Sequence, residues 1–96
     1  MHARVTTLHG QPDRLDQAIE VYHELTLPAL QKLAGFQTAY LLIDREHGKA
    51  LAVVLWESEE AMLESEPEGE RLRGQAAEQF GAPAPTVERY EVVAQS

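Results

Sequence analysis

The sequence predicts an α+β domain, a four-stranded antiparallel sheet with two helices on one face. Two apolar runs, "FQTAYLLI" (36–43) and "ALAVVLW" (50–56), flank the polar turn "DREHGK", as the strands of a β-hairpin do. Segments with apolar residues at helical spacing lie before and after that hairpin. A Val- and Thr-rich segment opens the chain and an alternating one, "TVERYEVV", comes near its end.

Taken in order, residues 3–9 read as a strand that ends at the turn "HGQPD". Asp13 is placed to cap the first helix, whose apolar face runs through Leu15, Ala18, Ile19, Tyr22, Leu25, Ala29, Leu30 and Leu33 to a stop at Gly35. Pro28 lies inside that helix and removes a backbone donor, which predicts a kink or break near Thr26. In the hairpin turn Gly48 supplies the positive φ of a tight connection. Ser58 caps the second helix, with Glu59 and Glu60 in the first turn where the helix dipole favours them. Pro67 interrupts it, and a further helical piece runs through Leu72, Ala76 and Phe80 to Gly81.

Strand, helix, strand, strand, helix, strand (βαββαβ) with right-handed crossovers gives a ferredoxin-like arrangement, and residues 1–96 are expected to form one domain. The hairpin strands are apolar on both sides, as strands covered on both faces are. Helices cover only one face. A second copy packed sheet to sheet is the economical cover: removing about 400 Å² of apolar surface per subunit gains on the order of 10 kcal/mol before the cost of association. A homodimer is therefore expected, the alternative being a monomer whose second face is a ligand or lipid-like cleft.

The 16 acidic and 8 basic residues give a net charge of −8, which repels phosphate backbones and anionic lipid surfaces, so no nucleic-acid or membrane partner is expected. No segment approaches the roughly 18 apolar residues of a membrane span, and no leader pattern opens the chain. With no cysteine there is neither a thiolate metal site nor a disulfide. A cytoplasmic location is the expectation. Seven of the 16 acidic residues fall in "ESEEAMLESEPEGE" (57–70), read as a solvated helix face, and the pairs Glu66 with Arg73 and Glu70 with Arg71 read as surface charge.

The segment "PALQKLAGFQTAYLLIDREHGKALAVVLWESEEAM", with "AGF" opening the second strand and an aromatic followed by "SEEA" closing the third, resembles the antibiotic-biosynthesis-monooxygenase-like family of the dimeric α/β-barrel superfamily; "VERYEV" supports the resemblance. It implies a dimer whose two sheets close a barrel, with a pocket between sheet and helices in each subunit. Cofactor-free oxygenases in the family are thought to deprotonate an activated phenol or quinol and let the carbanion react with oxygen, which needs a base, an aromatic wall and a dry cavity. The haem-degrading branch uses an Asn on the first strand, then a Trp and a His on the later helix. This chain has no Asn and places Ser65 and Gln75 near those Trp and His positions. Haem degradation of that type is disfavoured unless another histidine serves as axial ligand, and no cofactor is expected. Many relatives also carry a second-helix histidine, which residues 58–80 lack.

The candidate site follows from these readings. Trp56 ends a buried strand and is either a core plug or a pocket wall. Tyr22 lies on the apolar face of the first helix, its hydroxyl in need of a polar partner, and Tyr40 is a further wall candidate whose face is undetermined, as is that of Tyr90. His23, at the margin of that apolar face, and His9, at the end of the first strand, are the candidate general bases, although each also reads as an ordinary half-exposed or strand-end histidine. His2 reads as frayed and His47 as part of the hairpin turn. No histidine pair stands at ligand spacing with a carboxylate, so no metal is expected. Two functions follow: oxidation or binding of an aromatic or quinol-like small molecule, and a non-catalytic binding or assembly module on the same fold.

Overall fold

A computed structural model describes residues 1–96. Strand β1 (His2–His9) pairs antiparallel with both β3 (Lys49–Trp56) and β4 (Thr86–Glu91), and β2 (Phe36–Asp44) completes the sheet in the order β2-β3-β1-β4. The connections from β1 to β2 and from β3 to β4 carry the helices. The ferredoxin-like α+β arrangement is therefore observed, with the helices on one face. The three glycines read as stops or turns, Gly35, Gly48 and Gly81, have φ of 81°, 61° and 66°, where a Cβ is strained. Ser58 caps as expected, its Oγ accepting from the Ala61 N–H at 3.1 Å.

The first helical region departs from the expected single face. A 3₁₀ turn (Pro12–Arg14) holds Asp13, which makes no capping bond; helix α1 (Leu15–Val21) follows with Arg14 at its N-cap. The chain then widens into a π-turn (Tyr22–Thr26), where the Leu27 N–H donates to the Tyr22 carbonyl, and continues as α2 (Leu27–Gln31). Pro28 explains the site of the break, because it has no N–H for the carbonyl four residues back and its ring crowds that carbonyl. The wider turn also rotates the buried face. Thr26 takes the inward position after Tyr22, while Leu25, expected inside, is 62% exposed. Pro67 lies in the first turn of α4 (Glu66–Phe80), which is separated from α3 (Glu59–Glu64) at Ser65.

Alternation along the strands sorts the sheet residues. Arg4, Thr6, Leu8, Leu41, Ile43, Ala50, Ala52 and Val54 face the helices, so their strand neighbours Val5, Leu42, Leu51, Val53 and Leu55 face away. Tyr40 opposite Val53, and Tyr90 opposite Ala3, belong to that outer face. Tyr40 is 55% exposed, Leu42 51% and Tyr90 50%. The outer face is thus apolar and has no cover within this chain. His2 is not frayed: it pairs in register with Trp56 and Glu91.

Candidate functional site

The core under the helices falls into two clusters. One gathers Leu8, Leu15, Ala50, Ala77 and Phe80; the other gathers Leu30, Val54, Trp56, Met62 and Leu72. Between them lies a cavity of about 80 Å³, where a single water needs roughly 10–15 Å³ on this measure. Its existence follows from residue size. Thr6, Ala50 and Ala52 on the sheet stand across from Gly69 and Ala76 on α4, and such short side chains cannot meet across a gap that larger ones would fill. Fifteen of the twenty-one residues lining it are hydrophobic.

The few polar groups in the wall are unusual. Tyr22 is 9% exposed and its hydroxyl has no hydrogen-bond partner, a state that costs free energy unless a ligand or water satisfies it. Burial pushes this phenol above its usual pKa, so at neutral pH it is a hydrogen-bond donor and not a base. Arg4 is 2% exposed. Its guanidinium donates to Glu66 Oε1 at 2.9 Å, to the Met62 carbonyl at 2.7 Å and to Ser65 Oγ at 2.6 Å, and it lies 5.4 Å from the centroid of the Trp56 ring. Burial draws the Arg4 pKa down against the pull of Glu66; a buried cation of this kind is tolerable because it is paired and hydrogen-bonded.

Glu66 serves three arginines. Arg73 donates to its Oε2 at 3.1 Å, and Arg89 lies 2.8 Å from Oε1 on which Arg4 also acts. Partial burial pushes the Glu66 carboxyl up, but the hydrogen bond from Arg89 and the charges of Arg4 and Arg73 outweigh it and hold the carboxyl below the usual range. The Glu66–Arg73 pair is thus half-buried and not the surface charge expected, because α4 turns both side chains toward Arg4. Arg71 pairs with Glu68, not with Glu70.

The structure separates the residues proposed from the sequence. Tyr22 lines the cavity. Trp56 faces the helices and is completely buried, edge-on to Phe36 at 6.0 Å, outside the cavity lining. Tyr40 stands on the outer face. His23 follows Tyr22 on the solvent side of the π-turn, and His9 is exposed at the end of β1; neither lines the cavity. His47 bonds Asp44 at 2.8 Å in the hairpin turn. Ser65 is committed to Arg4 and Met62, and Gln75 is exposed. With no histidine in the lining, the cavity presents no imidazole axial ligand to a haem, and nowhere do three His, Asp or Glu side chains gather as a metal site would require.

Reading the residues alone missed Arg4, Arg73, Thr26 and Gly69. Two signals were available. Arg4 stands in step with Thr6 and Leu8 on a strand, so it shares their buried face. Gly69 sits in a helix interior, where glycine weakens the helix unless something must approach closely.

The fold recurs in solved structures. The chain superposes on the haem degrader MhuD of Mycobacterium tuberculosis, solved with two haems in its active site, with a TM-score of 0.79 and 18% identity over 100% of this chain and 99% of that one. It superposes on a monooxygenase from the gene ActVA-Orf6 of Streptomyces coelicolor, solved with the ligand nanaomycin D, with a TM-score of 0.75 and 17% identity over 99% and 92% of the two chains. The chain therefore has the fold of the antibiotic biosynthesis monooxygenase-like proteins, as its residues suggested. No family model matches the sequence. The uncharacterised protein Rv2557 of Mycobacterium tuberculosis is 36% identical over 94 residues, which are 98% of this chain and 42% of that protein. The chain spans about two fifths of the length of the curated relatives it matches.

Proposed function

We propose that this chain is an antibiotic-biosynthesis-monooxygenase-like protein that binds an aromatic or quinol-like small molecule in the cavity between sheet and helices, as a homodimer packed through the outer sheet faces. The observation that carries the reading is the apolar cavity with the unpartnered Tyr22 hydroxyl in its wall. An aromatic ring would fill the space between the two core clusters, and a phenolic or carbonyl oxygen would accept from Tyr22. The uncovered outer face supports the dimer. Residues 1–96 act as one domain in this reading, which places the protein in the cytoplasm, and neither nucleic acid nor membrane takes part. No helix is long and apolar enough to cross a membrane.

The catalytic form of the proposal is cofactor-free oxidation. The bound phenol gives up a proton, its carbanion adds O₂, and the hydroperoxide loses water to leave a carbonyl, with all electrons supplied by substrate. His23 or His9 is the proposed base. Trp56 and Tyr40 contribute to the substrate region indirectly, Trp56 by holding one core cluster and Tyr40 from the outer face. The exposed position of both histidines outside the cavity favours the second reading, a binding or assembly module without a reaction. Oxygen uptake with a panel of quinols tests the choice. Turnover lost in His23→Ala or His9→Ala supports the enzyme, whereas ligand binding without uptake by any quinol supports the module. Native mass spectrometry of the purified protein tests both together, since a monomer free of any adduct argues against the dimer and the retained ligand alike.

A further inference from the structure

We propose that the ligand of this cavity carries a carboxylate, held by Arg4 and Arg73 beside Gly69, with its apolar body lying toward Phe80 and Leu15. The inference rests on the reading of the cavity as a small-molecule site and adds the chemical class of what it takes.

The charge balance is the first support. In a chain of net charge −8, three guanidinium groups share the single carboxylate of Glu66, and none of them has another carboxylate within 4.0 Å. Two of these cations, Arg4 and Arg73, border the cavity. A second support is the free donor: Nη1 of Arg73 is buried and has no hydrogen-bond partner. A third comes from Gly69, where an added Cβ would lie 3.0 Å from Nη1 of both Arg4 and Arg73. The two nitrogens therefore lie side by side against the bare backbone of α4, where any side chain at position 69 would crowd them. A carboxylate reaching them from the cavity would receive charge-assisted bonds from both, in the geometry that favours arginine over lysine for such anions. Tyr22 adds a neutral donor elsewhere on the wall.

The test is isothermal titration of the full chain at pH 7 and low salt with benzoate and with benzamide, which differ in charge and hardly in shape. Benzoate binds about tenfold or more tighter if the arginines hold an anion. Arg73→Gln abolishes that preference and leaves benzamide within about twofold, because the apolar contacts persist. Gly69→Ala gives the same loss through crowding of the two nitrogens, in a helix that alanine favours. It decides the matter should Arg73→Gln not fold. Equal affinity for the two probes overturns the carboxylate while keeping the cavity as a site. Benzoate binding unchanged in Gly69→Ala and in any folded Arg73→Gln overturns it too, as does binding that survives filling the cavity by Ala76→Leu. Binding of neither probe overturns both this inference and the ligand site on which it rests.

Discussion

The two faces of the sheet differ in how side-chain size and cover are matched. The helix-covered face presents Arg4, Thr6, Ala50 and Ala52 near its middle, and the cavity forms above them. The outer face presents Val5, Leu51, Val53 and Leu55, flanked by Tyr40, Leu42 and Tyr90, and nothing in the chain lies over it. A chain selected only to fold alone gains most by placing its large residues under the helices. Here short side chains at the middle of the covered face leave a cavity among large ones such as Trp56 and Phe80, while the apolar side chains of the outer face stay uncovered. The difference teaches that packing density and cover vary independently across one sheet.

The largest effect is expected where the outer face is broken. Val53→Asp puts an unpaired charge at the centre of the proposed interface, and desolvating it in both subunits raises the dimer dissociation constant by about a thousandfold or more. Sedimentation shows this as monomer at concentrations where the unmodified protein is dimeric, and an unchanged dimer would mean that the outer face is not the interface.

On the covered face, Trp56→Ala removes the largest buried side chain and its contact with Arg4. Urea denaturation should show a loss of about 3–5 kcal/mol. Ligand affinity at the cavity changes less in the folded fraction, since Trp56 lies outside the lining.

Glu66→Gln keeps the shape of the ion cluster and removes its only negative charge. A loss of about 1–3 kcal/mol is expected, below the cost of breaking a fully buried pair because Glu66 is one quarter exposed. The sign of the pH dependence is set by the lowered folded-state pKa of Glu66. Its contribution is full above the unfolded value of about 4.3 and is lost as pH falls through the lower folded value. Denaturation midpoints measured from pH 6 down to pH 3 should fall more steeply for the unmodified protein than for Glu66→Gln; parallel curves would show that the carboxylate does not stabilise the cluster.

The smallest change in stability is expected for Ala76→Leu, which fills the cavity from α4 and shifts the free energy of unfolding by less than about 1 kcal/mol. Its effect is on binding, and retention of full ligand affinity would place the site elsewhere.

Local chemistry decided much of what the sequence disclosed. Gly48 and Gly81 take positive φ, Ser58 caps α3, Pro67 sits at the start of α4, and the apolar runs flanking "DREHGK" pair as a hairpin. These signals act within a few residues, so a single chain displays them. Two-sided apolarity of β2 and β3 likewise announced an uncovered face, because alternation along a strand is also local. The candidate site was legible only in part. Tyr22 was found from helical spacing, but Leu25 was placed inside where Thr26 belongs, since the π-turn adds a residue that no regular period anticipates. Whether Tyr40 and Trp56 face the same side depended on the strand register and the bulge between Phe36 and Thr38. Arg4 and Glu66 are 62 residues apart and meet only because β1 runs beneath the start of α4. The element order, the Ser58 cap and the glycine stops were thus determined by the sequence alone, whereas the expected Asp13 cap was not. The cavity and the arginines beside it were decided by the tertiary structure, because they arise from distances between elements that no local pattern contains.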